Sequence, residues 1–200
     1  MSTPQAYLVD DDEAIRDALS WLLKSRGIPS ANFDSAESFL AAWNKDMRGC
    51  IVLDMRMTGM TGLDCFDQLG ERQSTLPVIF LTGHGDVPLA VATLKKGAFD
   101  FFEKPFNDND LASRVAEAIA LDTRQRAASA TVDSVKARLA SLTTRERQIM
   151  EQVLAGKFNK VIADELNISM RTVEVHRANL FDKMQVKTAV ELANLLKGNT

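Results

Sequence analysis

The feature that most constrains the fold is a set of four short, largely apolar runs in the first half of the chain, each of which leads into a polar residue. The runs are Ala6–Val9, Ile51–Leu53, Val78–Leu81 and Phe99–Phe102, and amphipathic stretches separate them. Short apolar runs that alternate with helical stretches are typical of buried parallel strands. In such a sheet the carboxyl ends of all strands lie at one edge, where ligands bind. We therefore predict a five-stranded, parallel, doubly wound α/β sheet, with a weaker second strand at Ile28–Phe33.

The residues that follow the strands predict the chemistry of that edge. They are Asp10, Asp11, Asp54, Thr82 and Lys104. A lone Asp at a strand end can simply begin a helix, because Asp is favourable in a first helical turn. Helix initiation does not explain why two adjacent Asp residues, a further Asp, a Thr and a Lys all occur at strand ends of the same predicted sheet. Magnesium prefers one or two carboxylates plus water and phosphate oxygens, so we predict that Asp11 and Asp54 bind Mg²⁺ and that Asp10 acts through water.

Asp54 stands alone at its strand end, which favours it as the residue that receives a phosphoryl group. Carboxylates form covalent phosphoryl intermediates, and Lys104 and the Thr82 hydroxyl would each hold an oxygen of the incoming group. The alternative is a phosphohydrolase with an Asp nucleophile. The haloacid-dehalogenase type needs a second Asp two residues later as general acid and base, and Arg56 occupies that position.

The charge of the chain divides into two halves of opposite sign. Residues 1–122 carry 11 Lys and Arg against 19 Asp and Glu, a net charge of −8, whereas residues 123–200 carry 13 against 8, a net charge of +5. This asymmetry favours an acidic metal or effector domain joined to a nucleic-acid binder. No apolar run approaches the roughly 18–20 residues of a membrane span, and the N-terminus lacks the features of a signal peptide. We therefore expect a cytoplasmic protein without a membrane partner.

We predict three segments along the chain. Residues 1–122 form the α/β domain, and the last helix of that domain is expected to run to about Leu121 or beyond. Residues 123–140 are rich in Ala, Ser, Thr and Arg and poor in large apolar residues, which is typical of a linker that is partly helical. Residues 141–200 form a domain of four helices.

The third segment has the pattern of a helix-turn-helix. Thr143–Glu146 is a capping box that begins the first helix. The short helix Asn159–Leu166 and a tight turn lead to Ser169, which caps a longer helix from Met170 to about Met184. The last helix is Thr188–Leu196.

The longer helix has one apolar face and one face suited to reading DNA. A helical wheel puts Val173, Leu180 and Met184 in the core. Opposite them, or on the shoulders, lie Arg171, Thr172, Glu174, Val175, Ala178, Asn179 and Asp182. Val and Ala can touch a thymine methyl group, Glu can accept from cytosine, and Arg can reach guanine or phosphate. The alternative is the solvated face of an ordinary helical bundle.

Four motifs in the first half resemble the receiver domain of bacterial response regulators. They are Val-Asp-Asp-Asp-Glu at 9–13, Val-Leu-Asp-Met-Arg-Met at 52–57, Leu-Thr-Gly-His-Gly-Asp-Val-Pro-Leu-Ala-Val at 81–91 and Phe-Glu-Lys-Pro-Phe at 102–106. The Gly-His-Gly-Asp-Val-Pro stretch resembles the FixJ subfamily and contains His84, for which we expect a structural or surface role in the loop. The resemblance implies the flavodoxin-like fold. It also implies a protein that assists its own phosphorylation and dephosphorylation but is not otherwise an enzyme.

The resemblance also implies roles for individual residues. A phosphohistidine of a sensor histidine kinase would phosphorylate Asp54, with Mg²⁺ on Asp11, Asp54 and the carbonyl of Arg56. A switch would couple Thr82 to Phe101, and the bond between Lys104 and Pro105 would be cis. The sequence departs from the family at Thr58, where Pro is usual after Met57, so the loop would lack the restraint of a proline ring.

The second half resembles the LuxR-type helix-turn-helix in Leu-Thr-Thr-Arg-Glu-Arg-Gln at 142–148, Asn-Lys at 159–160 and Arg-Thr-Val-Glu-Val-His-Arg-Ala-Asn at 171–179. The resemblance implies that Glu174, Val175 and Ala178 face bases, and that Lys160, Arg171 and Arg177 lie near phosphate. It implies double-stranded DNA, a second copy of the chain on activation, and RNA polymerase as partners. The remaining alternative is a signalling adaptor whose second half binds protein rather than DNA.

Overall fold

The computed structural model describes residues 3–83 and 87–197, so His84 lies outside the described residues. The chain divides into two compact units, Met1–Arg126 and Ala127–Thr200. Among the described residues, no helix combines the length and the apolar character needed to cross a lipid bilayer.

The first unit alternates strands and helices, as the apolar runs predict. The strands are β1 (Gln5–Val9), β2 (Ser30–Phe33), β3 (Gly49–Asp54), β4 (Val78–Thr82) and β5 (Asp100–Glu103). The helices are α1 (Glu13–Ser25), α2 (Ala36–Ala42), α3 (Gly62–Glu71), α4 (Val87–Lys95) and the beginning of α5 (Asp108–Ala140). Asp12, Ser35 and Thr61 cap α1, α2 and α3 through side-chain oxygens that accept a backbone N–H.

All strand pairs are parallel, and the strand order is β2-β1-β3-β4-β5. This is the flavodoxin-like order, in which the strand sequence reverses between β1 and β3. The carboxyl ends of those two strands therefore flank a crevice. Two separate apolar clusters cover the two faces of the sheet, one around Phe39 and Phe80 and the other around Leu23 and Val115. Every residue of β3 is buried, which agrees with its unbroken apolar run.

Helix α5 is much longer than the sequence predicts. It is continuous from Asp108 to Ala140, so residues 123–140 are helical throughout rather than partly helical. The first unit also extends past residue 122. The buried Asp122 accepts from the backbone N–H of Gly49 at 2.9 Å and from Arg126 at 2.7 Å, and Arg126 donates to the carbonyl of Met47 at 2.6 Å. These bonds hold the turn of α5 that ends at Arg126 against the start of β3.

The second unit contains the four predicted helices. They are α6 (Thr144–Leu154), α7 (Asn159–Leu166), α8 (Met170–Met184) and α9 (Ala189–Lys197). The capping box is present, because Thr143 and Glu146 exchange side-chain to backbone hydrogen bonds of 3.2 and 2.8 Å. The turn between α7 and α8 contains Asn167 with a φ of 51°, and Ser169 caps α8. The predicted bounds of α7 and α8 are therefore correct.

The wheel prediction for α8 is also correct. Val173, Leu180 and Met184 are fully buried in a cluster with Ile149, Ile162 and Leu192 of the neighbouring helices. The buried carboxylate of Glu146 accepts a 2.7 Å bond from Lys183 of α8, so α6 and α8 are joined by an ion pair as well as by apolar packing. This pair lowers the pKa of Glu146. The opposite face of α8 is thereby fixed toward solvent.

Candidate phosphorylation site and DNA-binding surface

The strands bring the predicted polar residues together at one edge. Asp10 follows β1 and Asp54 ends β3, so they flank the crevice where the strand order reverses, and both are buried. Lys104 follows β5, and its ammonium group lies 2.8 Å from Asp10 Oδ2 and 3.2 Å from Asp54 Oδ1. The bond between Lys104 and Pro105 is cis, as expected. The Lys104 ammonium group thus bridges two carboxylates, Asp10 and Asp54, which follow or end strands more than forty residues apart in sequence.

Asp10 and Asp11 have different surroundings although they are adjacent. The buried Asp10 accepts the backbone N–H of Asp12 at 2.9 Å through Oδ1, while its Oδ2 faces Lys104. Asp11 is exposed, and its Oδ2 accepts both the backbone N–H of Thr58 at 2.8 Å and the Thr58 hydroxyl at 2.9 Å. The Asp10 carboxylate is therefore held in the buried part of the site, whereas the Asp11 carboxylate lies at the solvent-exposed surface of the site.

These surroundings move the pKa values of the carboxyl groups in opposite directions. Burial raises the pKa of Asp54, and the charge of Asp10 adds to this, although the attraction of Lys104 opposes it. Hydrogen bonds from the amide and hydroxyl of Thr58 lower the pKa of Asp11. Burial alone would lower the pKa of Lys104, but its bonds and charge interactions with Asp10 and Asp54 outweigh burial and raise it. Lys104 therefore carries a full positive charge at neutral pH.

Three carboxylates converge closely enough to hold one cation. One carboxylate oxygen each from Asp10, Asp11 and Asp54 can be chosen so that all lie within 4.8 Å of one another. Magnesium takes oxygen ligands and usually keeps several waters and phosphate oxygens besides one or two carboxylates. The donor set of this edge therefore fits Mg²⁺. Arg56 lies in the loop that follows β3, and hydrogen bonding by its backbone acts to lower the pKa of Asp54, against the larger effect of burial.

Thr82 and Phe101 occupy neighbouring strands beside this cluster. Thr82, the last residue of β4, is buried, and its hydroxyl donates to the Phe102 carbonyl of β5 at 3.4 Å. Phe101 is half-buried and, like Leu94 of α4, packs against the apolar cluster around Phe39 and Phe80. The Thr82 hydroxyl thus points toward β5, the strand that carries Phe101.

The exposed face of α8 carries the residues predicted to contact DNA. Arg171, Glu174, Val175 and Ala178 are all exposed, and Val175 has 53% of its surface accessible. Lys160, in the first turn of α7, is exposed as well. A large apolar side chain amid polar residues on a helix-turn-helix is the arrangement expected of a base-reading surface.

Two of the predicted DNA contacts are engaged within the domain instead of extending into solvent. The half-buried guanidinium of Arg177 donates to Asn159 Oδ1 at 2.7 Å and stacks over the ring of Phe181. The Thr172 hydroxyl lies 2.8 Å from that of Ser169 at the start of the helix. Arg177 therefore joins α8 to the beginning of α7, whereas the resemblance to the LuxR-type helix-turn-helix implied that it lies near phosphate.

Sequence reasoning missed the bond between Thr58 and Asp11. Thr58 appeared only as a departure from the usual Pro, and nothing in the local pattern indicates that its donors reach a residue 47 positions away. The available signal was the departure itself, because Pro has no backbone N–H to donate.

Comparison with known families assigns both units. Residues 6–116 match the response regulator receiver domain, and residues 140–196 match the luxR family of bacterial regulatory proteins. These matches favour a transcriptional response regulator over both the signalling adaptor and the phosphohydrolase.

Several known proteins are similar to this chain over nearly its whole length. The transcriptional regulatory protein FixJ of Bradyrhizobium diazoefficiens is 46% identical over 94% of this chain and 92% of its own length. The C4-dicarboxylate transport regulator DctR of Rhodobacter capsulatus is 47% identical over 94% and 97%. The structure of the response regulator StyR matches with a TM-score of 0.93 at 38% identity, covering 98% of this chain and 99% of StyR. The chain therefore belongs to the bacterial response regulators that join a receiver domain to a LuxR-type DNA-binding domain and regulate transcription.

Proposed function

We propose that Asp54 is the phosphoacceptor and that its phosphorylation by a sensor histidine kinase activates this regulator. The observation that supports the proposal is the position of Asp54 at the strand-order reversal, within 3.2 Å of the Lys104 ammonium and beside Asp10 and Asp11. A buried carboxylate held next to a fixed cation is placed to attack an incoming phosphoryl group.

The transfer balances without any further reactant. A lone pair of an Asp54 carboxylate oxygen forms a bond to phosphorus, and the electron pair of the phosphorus–nitrogen bond returns to the ring nitrogen of the kinase phosphohistidine. The other nitrogen of that ring carries a proton, so the ring leaves as neutral imidazole. The product is an acyl phosphate on Asp54. Lys104 remains hydrogen-bonded at the edge and neutralises charge on a phosphoryl oxygen, while Thr82 can turn its hydroxyl from Phe102 toward another oxygen.

The proposed cofactor is Mg²⁺, held by Asp11, Asp54 and the carbonyl of Arg56, with Asp10 acting through water. When bound, the ion supplies positive charge that offsets the negative charge of the phosphoryl group. The protein itself assists both phosphorylation and dephosphorylation through these groups.

The test is labelling by a small phosphodonor in the presence of Mg²⁺. Asp54→Asn should abolish labelling while the circular dichroism spectrum stays that of the wild type, because the amide cannot form the acyl phosphate. The matched control is Asp12→Asn, since Asp12 caps α1 through Oδ1 and Asn caps a helix equally well. The control should be labelled normally. Label on the Asp54→Asn variant would contradict the assignment.

We further propose that the α8 surface reads a two-fold symmetric operator as part of a dimer. Glu174, Val175 and Ala178 would face base edges, while Lys160 and Arg171 would meet phosphate. Phosphorylation would promote the dimer through α4 and β5, because Thr82 and Phe101 lie beside that face. RNA polymerase is the proposed downstream partner.

A further inference from the structure

Thr58 bonds a carboxylate of the proposed metal site with two donors. Its side chain is exposed in the loop between β3 and α3, yet its amide and hydroxyl both donate to Asp11 Oδ2, at 2.8 and 2.9 Å. Neither bond uses Oδ1 of Asp11. One oxygen of this carboxylate is therefore anchored to the loop, and the two Thr58 bonds leave the other oxygen unused.

The same loop is fixed at two further points. The backbone N–H of Met60 donates to Glu37 Oε1 of α2 at 2.9 Å. Thr61 and Asp64 form the capping box that begins α3. The part of the loop that directly follows Thr58 is thus held independently of Asp11, which restrains the position of the two Thr58 donors.

A carboxylate that is already oriented loses less conformational freedom when it binds a metal than one that rotates freely. Groups that hydrogen-bond a metal ligand commonly change metal affinity about 10–100-fold when they are removed. Pro, the residue usual in the family at this position, has neither a backbone N–H nor a hydroxyl and cannot form this arrangement. The two hydrogen bonds to Asp11 therefore depend on having Thr rather than the usual Pro at position 58.

We propose that Thr58 is a positioning residue that holds the Asp11 carboxylate for the divalent cation and thereby strengthens Mg²⁺ binding by this chain. The inference rests on the Mg²⁺ site proposed above. It assigns to the exposed hydroxyl a function in metal affinity rather than in the stability of the fold.

The test is calorimetric titration of the full-length, unphosphorylated protein with MgCl₂. Thr58→Val is nearly isosteric and keeps the amide donor but removes the hydroxyl, so the dissociation constant for Mg²⁺ should rise several-fold, up to about tenfold. Thr58→Ser keeps both donors and should bind as the wild type does. Thr75→Val, at an exposed threonine in the loop before β4 and hence at the opposite end of the strands, is the control for a general effect of the substitution.

Each outcome decides between the possibilities. Wild-type affinity in Thr58→Val overturns the proposal, and so does an equal loss in Thr58→Ser, because the effect would then not come from the hydroxyl. Absence of Mg²⁺ uptake by the wild type would instead reject the magnesium site itself. Thermal unfolding of the metal-free variants separates affinity from folding, since the exposed side chain should leave the melting temperature nearly unchanged.

Discussion

At the scale of single residues, the three carboxylates of the site differ in how deeply they are buried. Asp10 and Asp54 are buried around one ammonium group, whereas Asp11 stands exposed with its charge stabilised by Thr58. Environments that push the pKa values of neighbouring carboxyl groups apart are typical of groups with different chemical roles. Here they agree with Asp54 as the group that reacts and Asp11 as a group that remains ionised and binds the cation.

On the α8 surface that we propose contacts DNA, we also expect different residues to have different roles. Lys160 is an exposed cation at the start of α7, so Lys160→Ala should weaken binding to every DNA sequence and reduce the slope of log affinity against log salt by about one unit.

Val175 is an exposed apolar group on α8, and Val175→Ala should reduce the free energy of binding to the preferred operator by about 1 kcal/mol and change binding to random DNA little. Competition binding at several salt concentrations measures both effects.

The two variants serve as each other's controls in this experiment. Lys160→Ala removes a positive charge, whereas Val175→Ala shortens an apolar side chain without changing the charge. Equal losses on operator and on random DNA for Val175→Ala would show that this side chain does not read a base. An unchanged salt slope for Lys160→Ala would remove that residue from the phosphate contacts.

At the scale of secondary structure, elements with a local signal were predictable and those fixed by distant contacts were not. The end of α7 and the start of α8 have the predicted bounds because the left-handed residue Asn167 and the capping residue Ser169 are recognisable in the local sequence. The length of α5 was underestimated because residues 123–140 lack a strong apolar stripe. Bonds of Asp122 and Arg126 to residues 49 and 47 extend the first unit along that helix, and no local pattern shows such contacts.

The site followed the same rule. The strand-end residues were predictable because parallel strands place their carboxyl ends at one edge. The bond between Thr58 and Asp11 depends on the path of a loop, and the engagement of Arg177 by Asn159 depends on how α7 lies against α8. Helical periodicity identifies a face, but it does not identify which partner a long side chain on that face will find.

The start of α3 depends on a glycine for a reason that can be tested. A side chain at Gly62 would place its Cβ 2.2 Å from the carbonyl oxygen of Asp54, because the helix begins directly against the end of β3. Gly62→Ala should therefore lower the free energy of unfolding by about 1–3 kcal/mol or more, as overpacking of a closely packed site does. Urea unfolding followed by circular dichroism measures the change.

Gly70 in the same helix is the matched control. A Cβ at Gly70 would meet nothing within 4 Å, so Gly70→Ala should raise the stability by about 0.5–1 kcal/mol through the helix propensity of Ala. The same substitution is thus expected to have opposite signs at the two ends of one helix. A Gly62→Ala protein as stable as the wild type would mean that the backbone at the end of β3 yields to the added methyl group.

At the scale of the whole molecule, the two units have complementary charges and tasks. The acidic first half gathers carboxylates at the edge that we propose binds Mg²⁺, and the second half carries the net positive charge suited to DNA. A phosphoryl group on Asp54 can act at the DNA only by favouring one state of the molecule over another. A resting state favoured by about 2–3 kcal/mol would leave enough range for a clear switch.

Dimerisation is the change of state that we predict. Thr82 ends β4, and its hydroxyl donates to a carbonyl of β5. Phe101 of β5 and Leu94 of α4 pack against the same apolar cluster. A rotation of the Thr82 hydroxyl toward a phosphoryl oxygen can therefore alter the face formed by α4 and β5. Sedimentation velocity at micromolar concentration should show a larger species after treatment with a small phosphodonor and Mg²⁺. Thr82→Ala should still be labelled on Asp54 but dimerise less, because it lacks the hydroxyl that moves. A phosphorylated wild type that remains monomeric while its affinity for DNA rises would reject dimerisation as the switch.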